Sequence, residues 1–306
     1  MAQSPPLPFH AVRVGTYAEL ERYVRAFADG HLNLLMIFGH PGVGKSRCVR
    51  HALGRHVCWI GGQATPLGIF LQAYEHRHLP IVLDDVDGLH TDRNGIRLLK
   101  ALCQTEPTKT LSWLTEASTL VSRDIPRQFT TRSRVVLIGN AWRTLNADVA
   151  ALEDRGHVLL FEPTAFEVHR HAAQWFWDQE IFDLVADHLH LIARHSLRTY
   201  THAWELKQAG LDWRQGLLCR WLSGPALAVL KLKADPGFPS EAARVQAFIQ
   251  SGAGCRTRYF EHAKKLLPVQ QPPKIELPQK SPPPEAILDA DYLDGLRQRF
   301  GAIGHG

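Results

Sequence analysis

The sequence predicts an α/β fold: a doubly wound parallel sheet followed by an all-helical domain. Three observations predict it. Short apolar runs alternate with helically spaced stretches up to residue 163. A glycine-rich loop stands where one of those runs meets the next helix. After Pro163 the alternation stops and helical spacing continues alone. Strands alternating with helices fold as parallel sheets with helices on both faces.

Each element has its own signal. "TYAELERYVRAFADG" (16–30) places Leu20, Tyr23, Val24 and Phe27 at helical spacing, with Thr16 as N-cap and Gly30 as stop. "LNLLMIF" (32–38) is a continuous apolar run closed by Gly39 and reads as a buried parallel strand. A helix follows over about 44–53. "HVCWIGG" (56–62) reads as a strand and "PLGIFLQAYEHRH" as a helix. "PIVLDDVDGLH" (80–90) reads as a strand ending in aspartates, and "RNGIRLLKALCQT" (93–105) as a helix. "RVVLIGN" (134–140) reads as a strand, "LNADVAALEDR" as a helix and "HVLLFEP" (157–163) as a strand. Between Thr110 and Arg134 the rhythm changes to alternation with turn formers, which predicts a hairpin or irregular insertion.

The remainder divides by composition. Residues 1–31 read as a lead-in and helix, 32–163 as the core and 164–235 as a helical lid. Residues 236–267 read as a basic helical hairpin. The last segment, 268–306, reads as a Pro-rich linker and short amphipathic helix. In the lid, "AFEVHRHAAQWFWDQEIFDLVADHLHLI" lacks Gly and Pro and reads as helix. "SLRTYTHAWELKQAG" reads as a helix capped by Ser196 and ended at Gly210.

Composition excludes several classes. The chain of 306 residues is 45% hydrophobic and 21% charged, enough for one large or two modest domains. Its net charge of +5 is compatible with nucleic acid but does not argue for it alone. The 5 cysteines form no CxxC pair, so no zinc ribbon or redox motif is present. Scattered thiols and an N-terminus without a basic n-region predict a cytoplasmic protein. No apolar run reaches the roughly 18 residues that read as a membrane span, so no membrane partner is expected. The histidine pairs 169/171 and 188/190 do not share a helix face, and no H-E-x-x-H occurs. Magnesium is the one metal expected. Trp175, Trp177 and Trp204 read as core.

"GHPGVGKS" (39–46) fits G-x-x-x-x-G-K-[ST] between a strand and a helix. Its glycines let backbone amides approach phosphate oxygens, and the helix N-terminus adds positive dipole. Gly39, Pro41, Gly42, Val43, Gly44, Lys45, Ser46 and Arg47 form the candidate nucleotide-binding set. Lys45 would reach the β- and γ-phosphates, and Ser46 would bind Mg²⁺. Asp84, Asp85 and Asp87 crowd one turn of chain and need a compensating cation. Asp84, first after the apolar run, takes the Mg²⁺ side with Ser46. Asp85 stands where a base could polarise attacking water, and Asp87 reads as a local cap.

Over roughly residues 32–210 the sequence resembles the AAA+ ATPase superfamily of phosphate-loop NTPases. "GHPGVGKS" resembles Walker A and "IVLDDVD" resembles Walker B. "VVLIGN" resembles the sensor 1 strand, ending in Asn140. "ALEDRGHVLLFEP" resembles the arginine-finger segment, with Arg155, and "SLRTY" resembles sensor 2, with Arg198. The resemblance implies an αβα nucleotide core with a helical lid, ATP and Mg²⁺ as ligands, and catalytic roles for Asp85, Asn140, Arg155 and Arg198. It also implies a homo-oligomer in which Arg155 completes a neighbour's site. The family usually has Glu where Asp85 stands. The carboxylate is then about 1.5 Å further back, a misplacement that can cost on the order of 10²-fold in rate.

These features lead to an ATPase acting on DNA or a DNA-processing protein, as in replication initiation, helicase loading or mobile-element handling. The alternative is a slow-turnover assembly switch or scaffold, which Asp85 favours. A third reading, a small-molecule kinase, is opposed by Asn140 and Arg198. Candidate DNA contacts are Arg123, Arg127 and Arg132, with Arg134 beside them, and Arg256 and Arg258 with Lys264 and Lys265. The 240–266 segment could be a helix-turn-helix-like reader, but a plain hairpin fits its spacing better.

Overall fold

The computed structural model describes residues 11–86, 93–114, 117–140, 152–267 and 275–277. The chain divides into two compact units, Met1–Pro163 and Thr164–Gly306.

The first unit contains a six-stranded sheet. Its strands are β1 (Val12–Val14), β2 (Leu34–Phe38), β3 (Cys58–Gly61), β4 (Ile81–Asp84), β7 (Val135–Gly139) and β8 (His157–Phe161). They run in the order β1-β8-β2-β7-β4-β3, all parallel. The period of two along β2 divides its residues between two cores. Leu34, Met36 and Phe38 pack on one side of the sheet, Leu35 and Ile37 on the other. Burial on both faces explains why this strand is continuously apolar. Each such side chain contributes roughly 1.5–3 kcal/mol relative to exposure.

Helices α1 (Tyr17–Ala28), α2 (Lys45–Leu53), α3 (Pro66–Glu75) and α4 (Arg93–Leu102) lie where the sequence places them. Helix α1 starts with a full capping box: Thr16 Oγ1 accepts the Glu19 N–H, and the Glu19 carboxylate accepts the Thr16 N–H. Its buried face is Tyr17, Leu20, Val24 and Phe27. Tyr23, expected on that face, is only half-buried at its edge.

Strand β1 has no counterpart in the sequence reading, which has only a lead-in and helix before residue 32. Three residues are too few to display a period, and β1 becomes a strand by pairing with distant β8, Val14 opposite Phe161.

The insertion forms an antiparallel ribbon of β5 (Lys109–Ser112) and β6 (Gln128–Thr131), with the short α5 (Ser118–Ser122) between them. Phe129 meets Phe70 and Tyr74 of α3 edge-on at 5.1 and 5.2 Å, which fastens the ribbon to the core. Lys109, fully buried, donates to the Ser133 carbonyl at 2.8 Å.

Among its described residues the second unit contains helices and no strand. It comprises α6 (Ala165–Ala172), α7 (Gln179–Asp187), α8 (Arg198–Gln208), α9 (Trp213–Trp221), α10 (Gly224–Ala234), α11 (Glu241–Gln250) and α12 (Arg256–Leu266). The stretch 165–192, read as helix without a break, divides. Asp178 caps α7 by accepting the Ile181 N–H and is itself held by Lys207 of α8 at 2.7 Å. A capping aspartate fixed by a distant lysine ends one helix and starts the next without Gly or Pro. Ser196 is not the N-cap of α8. Leu197 occupies that position, and Ser196 Oγ accepts the Arg198 N–H at 3.2 Å.

Helix α10 was not read as a separate element from the sequence: "GPALAVLKLKA" is largely apolar, with Lys231 and Lys233 near its end, and shows no one-sided period. It packs with α11 and α12 around Val229, Val245, Phe248, Tyr259 and Ala263. Trp175 and Trp204 lie half-buried against the core of α6–α9. Among the described residues no helix is long and apolar enough to cross a membrane.

Candidate nucleotide site

Strand order creates the site. β7 lies between β2 and β4, so the carboxyl ends of three adjacent parallel strands share one edge. Phe38 pairs opposite Gly139, and Asp84 opposite Ile138. The residues just past each strand therefore meet: the loop after β2, Asn140 after β7, and Asp84 and Asp85 at the end of β4. Ligands of open parallel sheets bind at such edges.

The loop after β2 needs its glycines. A Cβ on Gly39 would lie 2.3 Å from the Phe161 carbonyl oxygen, so only glycine lets β2 turn past β8. Gly42 and Gly44 have φ of 82° and 85°, left-handed values that glycine adopts without strain. Gly44 is the N-cap of α2, and that helix start leaves backbone N–H groups facing the loop. Tyr17, at the start of α1, donates its hydroxyl to the Val43 carbonyl at 2.8 Å and braces the loop from outside.

Lys45 is only 5% exposed. Its ammonium donates to the carbonyls of Gly39 (2.7 Å) and His40 (3.0 Å), and to Asn140 Oδ1 at 3.3 Å. Asn140 passes the connection on: its amide Nδ2 donates to Asp85 Oδ1 at 2.9 Å. Ser46 Oγ donates to Asp84 Oδ1 at 2.9 Å. Lys45, Ser46, Asp84, Asp85 and Asn140 thus form one cluster. Burial pushes the Asp84 carboxyl above its ordinary range, the Ser46 bond opposes this, and neighbouring Asp85 adds to it.

Asp85 holds φ of 52°, a left-handed conformation in a residue that is not glycine. Its N–H bonds to the Ile138 carbonyl at 3.0 Å, which ties the strained residue to β7. Pro41 and Arg47 are exposed beside the loop, and Val43 is buried beneath it.

The donor set fits a hard divalent cation: a hydroxyl and adjacent carboxylates, all oxygen. Ser46 and Asp84 are the pair that would hold it, and a divalent charge would relieve the crowding of Asp84 against Asp85. The buried Lys45 and the loop amides fit phosphate oxygens. Among the described residues no cluster of three or more His, Cys, Asp or Glu is arranged to hold a metal by itself.

The other sequence candidates lie on other elements. Arg155 ends a single 3-10 turn, Glu153–Arg155, and donates to the Lys100 carbonyl at 2.7 Å, near the end of α4. Arg198 opens α8 and is exposed. Asp87, most of the helix read at 145–155, and the tail beyond residue 277 lie outside the described residues.

Arg123 faces Glu75 at 3.7 Å, while Arg127 and Arg132 are exposed. Arg134 does not belong to that basic strip. Its guanidinium donates to the carbonyls of Phe27 and Ala28 and covers the Phe27 ring, closing the C-terminus of α1. The reading missed Tyr17, whose one signal was its place directly after the capping Thr16. It also missed Trp59, on whose ring the Arg50 guanidinium stacks at 4.2 Å.

No family model matches the sequence. The chain is 28% identical over 137 residues to an uncharacterized 36.7 kDa protein in the nrdC-mobD intergenic region of Enterobacteria phage T4. That match spans 42% of this chain and 40% of the phage protein, less than half of either. Several solved structures match in part, each with a TM-score below 0.5. A Walker-type ATPase of Pyrococcus abyssi matches with a TM-score of 0.42 at 12% identity, over 83% of this chain and 90% of that one. NtrX of Brucella abortus, in complex with ATP, matches at 0.43 and 14%, over 83% and 68%. A DNA replication initiation factor matches at 0.40 and 11%, over 70% and 65%.

Proposed function

We propose that this protein binds ATP with Mg²⁺ and hydrolyses it, and that copies assemble so that one completes the site of the next. The observation that carries the reading is the cluster of Lys45, Asn140 and Asp85, with Ser46 on Asp84, at the edge of three parallel strands.

Each residue then has a task. The amides of Gly42, Val43 and Gly44 and the Lys45 ammonium receive the phosphates. Replacing its carbonyl contacts by phosphate oxygens gives buried Lys45 a full counter-charge. Ser46 and Asp84 hold Mg²⁺, which when bound neutralises charge on the phosphates. Asp85 accepts a hydrogen bond from the attacking water and orients it in line. Asn140, bonded to both Lys45 and Asp85, keeps the two ends of that arrangement in register. Arg155 reaches a neighbouring copy's nucleotide once its contact with Lys100 is released, and Arg198 is a further catalytic candidate. The work is done on DNA or a DNA-processing protein.

A second reading, a slow ATP-dependent assembly switch, is favoured by Asp85. Its carboxylate is one methylene shorter than that of glutamate, and its left-handed backbone costs on the order of 1–3 kcal/mol.

Steady-state ATP turnover, with and without DNA, separates the two. Turnover lost in Arg155→Ala and recovered by mixing with Lys45→Ala protein supports completion in trans. An oligomer of Arg155→Ala protein with undiminished turnover removes Arg155 from the mechanism. Phosphate transfer to a small metabolite overturns both readings.

A further inference from the structure

We propose that the outer face of α12 binds single-stranded nucleic acid, with Phe260 as a base-stacking platform between Arg256 and Lys264. This deepens the nucleic-acid part of the reading above and requires nothing of its ATP chemistry.

Charge is concentrated in this bundle. Residues 224–267 carry seven Lys or Arg against three Asp or Glu, so they hold four of the chain's five net positive charges. One of those acids is consumed internally. Glu241 accepts from the Tyr259 hydroxyl at 3.0 Å and pairs with Lys233 at 3.3 Å and Arg244 at 3.4 Å. A second, Asp235, accepts the Gly237 N–H at 2.8 Å in the turn after α10. Only Glu261 remains on α12 against Arg256, Arg258, Lys264 and Lys265.

The helix period then sorts these groups. Tyr259 and Ala263 are buried against α10 and α11. Arg256, Phe260 and Lys264 follow one another at steps of four along the flank beside that buried face, about 6 Å of rise apart. All three are exposed. The Arg256 guanidinium lies 5.8 Å from the centre of the Phe260 ring. Phe260 keeps 44% of its surface in water although its neighbour Tyr259, about a quarter turn away on the same helix, is fully buried.

An aromatic ring flanked by cations matches a single strand, which offers phosphates on one side and unpaired base faces on the other. A duplex keeps its base faces stacked inside, where Phe260 cannot reach. A folded protein partner would favour a wider apolar patch with its charges at the rim.

The test is fluorescence anisotropy of the full-length protein, free of nucleotide, with labelled oligo(dT) of about 30 nucleotides. A duplex of equal length, oligo(rU) and poly-glutamate are the comparisons. The single strand should bind about 10-fold tighter than the duplex, and Phe260→Ala should weaken it about 10-fold while leaving the salt dependence unchanged. Arg256→Gln and Lys264→Gln should each reduce the slope of log affinity against log salt by about 0.7. Preference for oligo(rU) over oligo(dT) assigns RNA, and the reverse assigns DNA; both meet the proposal. Equal binding of duplex and single strand, tighter binding of poly-glutamate, or unchanged affinity in a folded Phe260→Ala protein overturns it. Lys45→Ala should bind oligo(dT) as the parent does. No ATP turnover by the wild-type protein with intact strand binding therefore counts only against the ATPase reading, and the converse only against this one.

Discussion

The sheet unit and the last three helices use positive charge in opposite ways. In the sheet unit Lys45 and Lys109 are sunk into the protein, 5% and 0% exposed, and held by main-chain carbonyls. On α12 the cations stay in water along the helix. A buried cation requires acceptors fixed by chain segments far apart in sequence. It is therefore a precise device in which one residue matters a great deal. An exposed stripe needs only helical spacing and acts by number, so each member matters little and salt weakens all of them.

The largest expected effect tests the buried half of this contrast. Lys45→Ala should lower ATP turnover by at least about 100-fold, as loss of a fixed donor to developing phosphate charge does elsewhere. Near-normal turnover would break the comparison, because Lys45 would then be a core lysine only. Calorimetric titration with ATP tells whether binding is lost along with turnover.

The second prediction asks whether the helical unit also contains a buried titratable group that depends on its neighbours. His169 is 1% exposed, lies 2.8 Å from the Tyr200 hydroxyl and stacks on Phe182 at 3.8 Å. Burial pushes its pKa from 6.5 down to about 4. The folded state therefore favours the neutral ring, and the unfolded state takes up the proton first as pH falls. Its contribution is complete above about 6.5 and is lost progressively down to about 4. The loss approaches roughly 3 kcal/mol at about 1.4 kcal/mol per unit. Urea unfolding of the wild type and of His169→Gln across this range should show that difference. Parallel curves would mean that the buried imidazole does not titrate on unfolding.

Third, Gly39→Ala places a methyl group against the Phe161 carbonyl and should destabilise the sheet unit by about 2 kcal/mol. A midpoint unchanged in thermal unfolding would show that the loop moves aside freely.

The smallest effect sharpens the comparison within the site. Asp85→Gly relieves the left-handed backbone and removes a carboxylate next to Asp84. It should raise stability by about 1 kcal/mol while reducing turnover. A variant that is both less stable and equally active would refute strain held for function at this position.

Legibility followed the range of the interaction. The glycine loop 39–46 was readable because its pattern is written in eight consecutive residues, and Asp84 because a strand end precedes it. Helices α1, α11 and α12 were readable from caps and periods that lie within one or two turns. Strand β1 was not, because its three residues become a strand only against β8. The break between α6 and α7 was not, because Lys207 holds the Asp178 that makes it. Arg134 looked like one more exposed cation until its carbonyl acceptors on α1 were in place.

The sequence by itself determined the alternation that makes a parallel sheet, the glycine loop and its lysine, the acidic end of β4 and the basic spacing of α12. All of these are contained in short windows where backbone geometry alone sets which residues share a face. The tertiary structure decided the rest. It placed β7 between β2 and β4, which brings Asn140 between Lys45 and Asp85 and joins Ser46 to Asp84. Those contacts join residues 38 to 95 positions apart, and no local pattern specifies them. They follow from the order in which buried strands pack.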